Sequence, residues 1–152
     1  MKLFTKFFLV LSLGIFFSAC DSKNTESKHK HETRICPYCN MPLPDSNLHT
    51  SDLKHDGDTT YFDDVGCMIL WTKDENIDLR TVKSRIFSND TKQYIDPFKG
   101  HYQINERTPM LYGFSAYEKP CKGCINFDEV MLRMLRGEHM ANPKIRKQIL
   151  GY

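Results

Sequence analysis

Leu48-His49-Thr50-Ser51-Asp52-Leu53-Lys54-His55-Asp56-Gly57-Asp58-Thr59-Thr60-Tyr61-Phe62-Asp63-Asp64-Val65-Gly66-Cys67-Met68-Ile69-Leu70-Trp71-Thr72 is the stretch on which the fold turns. Asp56-Gly57 at its centre is a tight-hairpin pair, because Gly and Asp tolerate the positive φ such turns need. Leu48–Lys54 on one side has weak strand character. Thr59-Thr60-Tyr61-Phe62 on the other is β-branched and aromatic, which suits a pleated return strand. Asp63 or Asp64 then caps a short helix from Val65 to about Thr72, with Val65, Met68, Ile69 and Trp71 as its buried face. Hairpin followed by helix sets a local, antiparallel start.

Further along, Thr81–Phe87 alternates as a half-exposed strand. Ser88-Asn89-Asp90 is a turn. Gln93–Ile95 and His101–Ile104 read as strands around Asp96-Pro97, and Met110–Tyr117 as the last strand. Strands grouped around few helices predict an α+β class with an antiparallel sheet. Beyond residue 118 the pattern changes to a short helical extension, residues 119–152. A helix there is capped by Asn126 or Asp128, carries Val130, Met131, Met134 and Leu135, and stops at Gly137. Asn142-Pro143 opens a second, and Gly151 closes it.

The N-terminus reads as an address, not as fold. Residues 1–19 hold two lysines, an apolar run from Phe7 to Phe17, and small residues before a cleavage point, which is the layout of a secretory signal. Phe17-Ser18-Ala19-Cys20 resembles a bacterial lipobox, so Cys20 is expected to be acylated and to anchor the chain to a membrane, facing the periplasm. Residues 20–34 then form a polar tether without a large apolar residue. Removing Lys2 and Lys6 leaves nineteen basic and nineteen acidic residues. That balance gives no electrostatic case for a nucleic-acid partner.

Cys20 aside, five cysteines remain, an odd number in an exported chain. Cys36-Pro37-Tyr38-Cys39-Asn40-Met41 places two thiols and a thioether within six residues, a soft set that suits Cu(I). Met110, after Thr108-Pro109, is a candidate third soft ligand, and Cys67 at the start of the first helix is another. Cys-x-x-Cys is also a redox sequence, but that chemistry needs a helix starting at the first Cys, and Pro42 and Pro44 oppose one. A third reading pairs Cys36 and Cys39 with Cys121 and Cys124 around structural zinc. Cys121 and Cys124 could instead form a local disulfide. His49, His55, His101 and His139 read as ordinary surface or core histidines.

The lipobox, the polar tether, Cys36-x-x-Cys39-x-Met41, the hairpin ending Thr60-Tyr61-Phe62-Asp63-Asp64, Gly66-Cys67-Met68 and Pro109-Met110 together resemble the NosL family of copper lipoproteins. The similarity runs from about Ile35 to Tyr117, so residues 35–118 are expected to be the copper-binding domain. The resemblance implies two small ββαβ-like halves and a carrier rather than an enzyme. It implies Cu(I) as cargo, held by Cys39, Met41 and Met110. The implied acceptor is nitrous oxide reductase or its assembly complex. Asn40 stands where the family commonly has Gly, and Asn is the next most tolerant residue of positive φ. Cys121 and Cys124 have no counterpart in the pattern.

Overall fold

The computed structural model describes residues 34–151, so the signal, Cys20 and the body of the tether lie outside the described residues. Strand β1 (Ser51–His55) and strand β2 (Asp58–Phe62) pair antiparallel with Ser51 opposite Phe62 and His55 opposite Asp58. Asp56 and Gly57 turn the chain at φ 51° and 89°. Two consecutive positive φ values give the hairpin a twist that matches its strands.

Helix α1 (Val65–Asp74) follows at once. Its cap is the second acid: the Asp64 carboxylate accepts from the Gly66 N–H at 3.0 Å. Strand β3 (Lys83–Phe87) then returns beside β1, and the two-residue strand β4 (Tyr94–Ile95) pairs with β3. The sheet order is β2-β1-β3-β4, antiparallel throughout. This half has the ββαβ order. One face of the sheet presents Leu53, Phe62 and Ile86 to α1, all buried. The other presents Lys54, Tyr61, Lys83, Arg85 and Tyr94, by the same register.

The second sheet pairs strand β5 (His101–Gln103) with strand β6 (Ser115–Tyr117). The last strand is therefore shorter than Met110–Tyr117. Thr108 to Leu111 closes instead as a turn, with the Leu111 N–H on the Thr108 carbonyl at 3.0 Å. Leu111 and Gly113 sit at φ 56° and 92°, which extended backbone cannot accommodate.

Helix α2 (Phe127–Arg136) is capped by Asn126 and ends at Gly137 in the left-handed region, φ 71°. It is no appendage. Phe127, Val130 and Met134 are buried in the common core, with Phe127 against Tyr102 and Phe98 at 5.6 and 5.0 Å between ring centroids. A boundary at 118/119 would cut that core. Helix α3 (Pro143–Leu150) buries no residue. The architecture is α+β, and no strand follows α2 among the described residues.

Candidate metal centre

Cys36 to Met41 folds back on itself. The Cys36 N–H donates to the Met41 carbonyl at 2.9 Å, and the Asn40 N–H to the Cys36 carbonyl at 2.9 Å. Asn40 takes φ 59°, which closes the loop and explains an Asn at that position. Pro37–Cys39 is a turn, so the helix that thiol-disulfide chemistry would use to activate Cys36 is not there. The closed loop turns Cys36 fully inward and leaves Cys39 half-buried at its edge.

Two more groups meet these sulfurs from the hairpin and helix. Asp63 directly follows the return strand β2, and Cys67 lies in the first turn of α1, its N–H on the Asp64 carbonyl at 3.0 Å. One donor atom each from Cys36, Cys39, Asp63 and Cys67 all lie within 4.8 Å of one another. The Cys39 thiol donates to Asp63 Oδ1 at 3.2 Å. Asp63 is 1% exposed, yet its Oδ2 has no hydrogen-bond partner. A buried carboxylate oxygen without a partner is costly unless something cationic fills the gap. The four residues fit a metal ion: three sulfurs and one oxygen at the spacing of a single coordination sphere.

The electrostatics favour one ready thiolate. A hydrogen bond from the Cys67 thiol, opposed by burial and helped by the Cys39 and Asp63 N–H groups, lowers Cys36 to about 6. Burial, with Asp63 and Cys36 beside it, pushes Cys39 up to about 12. Its role as donor to Cys36, then burial and the Asp63 charge, pushes Cys67 upward as well. Burial likewise raises the capping Asp64 to about 6, against hydrogen bonds from Thr108, Gly66 and Met110.

A pH dependence follows. Above pH 6 Cys36 is already ionised, whereas Cys39 and Cys67 keep their protons through the neutral range. A metal that takes all three sulfurs must displace two protons. Affinity therefore rises with pH, by about a hundredfold per unit near pH 7 for two protons released. Competition titrations at several pH values measure that slope. A flat profile would mean that Cys39 and Cys67 stay outside the coordination sphere.

The other candidate ligands lie as follows. Met41 closes the loop through its carbonyl, and the residue is 41% exposed. The Met110 N–H donates to Asp64 Oδ2 at 3.2 Å, and its side chain is half-buried against the core. Cys121 and Cys124 are joined to each other, with Cα atoms 5.4 Å apart. This corrects the two-knuckle zinc arrangement, because a disulfide leaves no thiolate for metal. Cys67 is the third sulfur instead. None of His49, His55, His101 or His139 joins the cluster. Asp63 went unread as a ligand because either aspartate could have been the helix cap. Two adjacent acids where a cap needs one was the available signal.

Fold and site together define an α+β domain able to hold one metal ion on three cysteine sulfurs and a carboxylate. No family profile, curated protein or solved structure matches this chain.

Proposed function

We propose that the chain is a membrane-anchored Cu(I) carrier on the periplasmic side, handing copper to a partner protein rather than catalysing a reaction. The observation that carries this reading is the convergence of Cys36, Cys39 and Cys67, three soft donors around one point. Cys39, half-buried at the edge, is the sulfur an incoming partner ligand would reach first. Exchange then proceeds by replacing one sulfur at a time, with Cys36 and Cys67 retaining the ion until the partner has a grip. Met41 and Met110 are the thioethers nearest in sequence logic to serve as outer ligands. The likeness to NosL lipoproteins supports nitrous oxide reductase maturation as the client, and acylated Cys20 as the anchor.

Zinc is the second reading, and the unpartnered Asp63 oxygen is what favours it. Three thiolates and a carboxylate make a closed tetrahedral set suited to a structural ion. Asp63→Asn separates the two. Cu(I) held by sulfur alone should keep its affinity within about threefold, whereas zinc should weaken by about tenfold or more as its oxygen ligand loses charge. Both are read by anaerobic competition against chelators, on the reduced chain. A loss confined to zinc supports a copper site of sulfur. An equal loss for both metals would place the carboxylate in the copper sphere as well. Met41→Leu and Met110→Leu, unchanged in Cu(I) affinity, would remove the thioethers from the ligand set.

A further inference from the structure

We propose that the outer face of the four-stranded sheet docks on an anionic phospholipid surface, laying the domain on the membrane with the thiol cluster turned away. The proposal rests on the anchoring of Cys20 put forward above, and on no property of the metal.

The charge pattern of that face is its first support. Lys54 and Lys83 stand directly opposite each other in the β1–β3 register. Like charges in that position oppose sheet pairing. Neither makes an ion pair among the described residues. Asp52 is the one acid that the strands place on this face, and Arg85 already neutralises it through two hydrogen bonds of 3.0 and 2.8 Å. The sheet thus keeps two adjacent, unanswered cations at a cost to its own pairing. An external anion would relieve that repulsion.

The aromatic pattern is the second support. The Arg85 guanidinium lies over the Tyr94 ring at 5.0 Å, and the Arg34 guanidinium over the Tyr61 ring at 4.5 Å. Phe87 meets Tyr94 edge-on at 5.3 Å. Tyrosines among cations are the side chains that settle at a headgroup layer. Beside them, along β3 and past the end of β4, lies a groove of about 390 Å³ that Lys83, Arg85, Tyr94 and Phe98 help to line. Asp96 lines it too, 3.9 Å from Lys99.

The third support is where the tether arrives. Arg34, the first described residue, reaches the domain on this face, through Tyr61. Thirteen residues, 21–33, separate it from Cys20, a span of at most about 50 Å. An acylated Cys20 keeps the bilayer within reach of this face at all times, whereas an acidic protein would have to arrive by diffusion. Docking in this sense directs the side of the sheet that packs on α1 and Cys67 away from the lipid.

The test uses the full acylated chain without substitution. It is reconstituted in vesicles of phosphatidylcholine alone, or with about one-third phosphatidylglycerol, and lysines are labelled with a water-soluble amine reagent. On the anionic vesicles at low salt, labelling of Lys54 and Lys83 should fall by about threefold or more, and recover at high salt as screening sets in. Lys144 and Lys147, exposed on α3, should be labelled equally in both. Equal labelling of Lys54 and Lys83 on the two vesicles would overturn the proposal. A mass spectrum without acyl chains on Cys20 would sink the anchoring reading and the docking proposal with it. Loss of Cu(I) binding would affect neither.

Discussion

Cys67→Ser will weaken Cu(I) and zinc binding by about a hundredfold or more, since a ligand substitution should cost at least what outer-shell changes do. Cys67 is fully buried, and its sulfur is one of the four donors within 4.8 Å. Serine keeps the shape of the side chain but offers a hydroxyl that does not ionise near neutrality and is hard where the metal is soft. The serine O–H can still donate to the Cys36 sulfur as the Cys67 thiol does, so the loss falls on the Cys67 ligand itself. Folding should be little altered, because the substitution removes neither volume nor backbone contacts on any large scale. Anaerobic competition titration gives the affinity, and a thermal melt of the same sample verifies the fold. Unchanged affinity in a folded variant would take Cys67 out of the site. Cys121→Ser is the companion measurement: Cys121 is not among the four donors within 4.8 Å, so metal affinity should not change.

The second large effect is on stability. Gly66→Ala should destabilise the domain by about 2–3 kcal/mol, the upper range for forcing extra atoms into a packed core. Gly66 follows the first residue of α1, where alanine would otherwise favour the helix. The obstacle is space: an added Cβ would lie 2.2 Å from Tyr112 Cδ2, 2.7 Å from its Cγ and 2.8 Å from Met134 Cε. Tyr112 is 7% exposed and packed edge-on against His139 at 4.9 Å, which opposes a swing of its ring. A melting temperature lower by roughly 10 °C is the expected reading for a domain of this size. Adding Tyr112→Leu to Gly66→Ala should recover part of the loss, a coupling that additive effects would not give. A single variant as stable as the parent would show that Tyr112 and Met134 yield at little cost. The clash also bears on the site, since Cys67 is the next residue.

Much of the fold is legible in the sequence because its signals are local. Asp56-Gly57 dictates the hairpin through backbone sterics, and the capping acid and apolar spacing dictate α1. Asn126, Gly137, Asn142 and Gly151 mark the C-terminal helices by the same capping chemistry. What the sequence conceals is set by contacts between distant residues. Nothing local tells that Phe127, Val130 and Met134 fill the same core as Phe62, so α2 reads as an extension. Met110 to Phe114 has strand composition, but Leu111 and Gly113 adopt positive φ because the chain must turn back over Asp64, where the Met110 N–H is held.

The site divides in the same way. Cys36 and Cys39 are visible as a pair because they share one short loop. Cys67 is visible only as one of several candidate ligands, and Asp63 as a possible cap, because only the hairpin and α1 together bring them to that loop. Cys121 and Cys124 have the spacing of a second metal knuckle but satisfy each other. A spacing motif names chemistry that its residues can do, and the tertiary fold selects which of them do it.

X-ray absorption at the copper edge, on the reduced chain loaded with one equivalent of Cu(I), tests the central claim most directly. The account predicts three sulfur neighbours in the first shell, at about 2.3 Å by analogy with thiolate bonds to zinc, falling to two in Cys67→Ser. A first shell of nitrogen and oxygen, or a sulfur count that Cys67→Ser leaves unchanged, would contradict it.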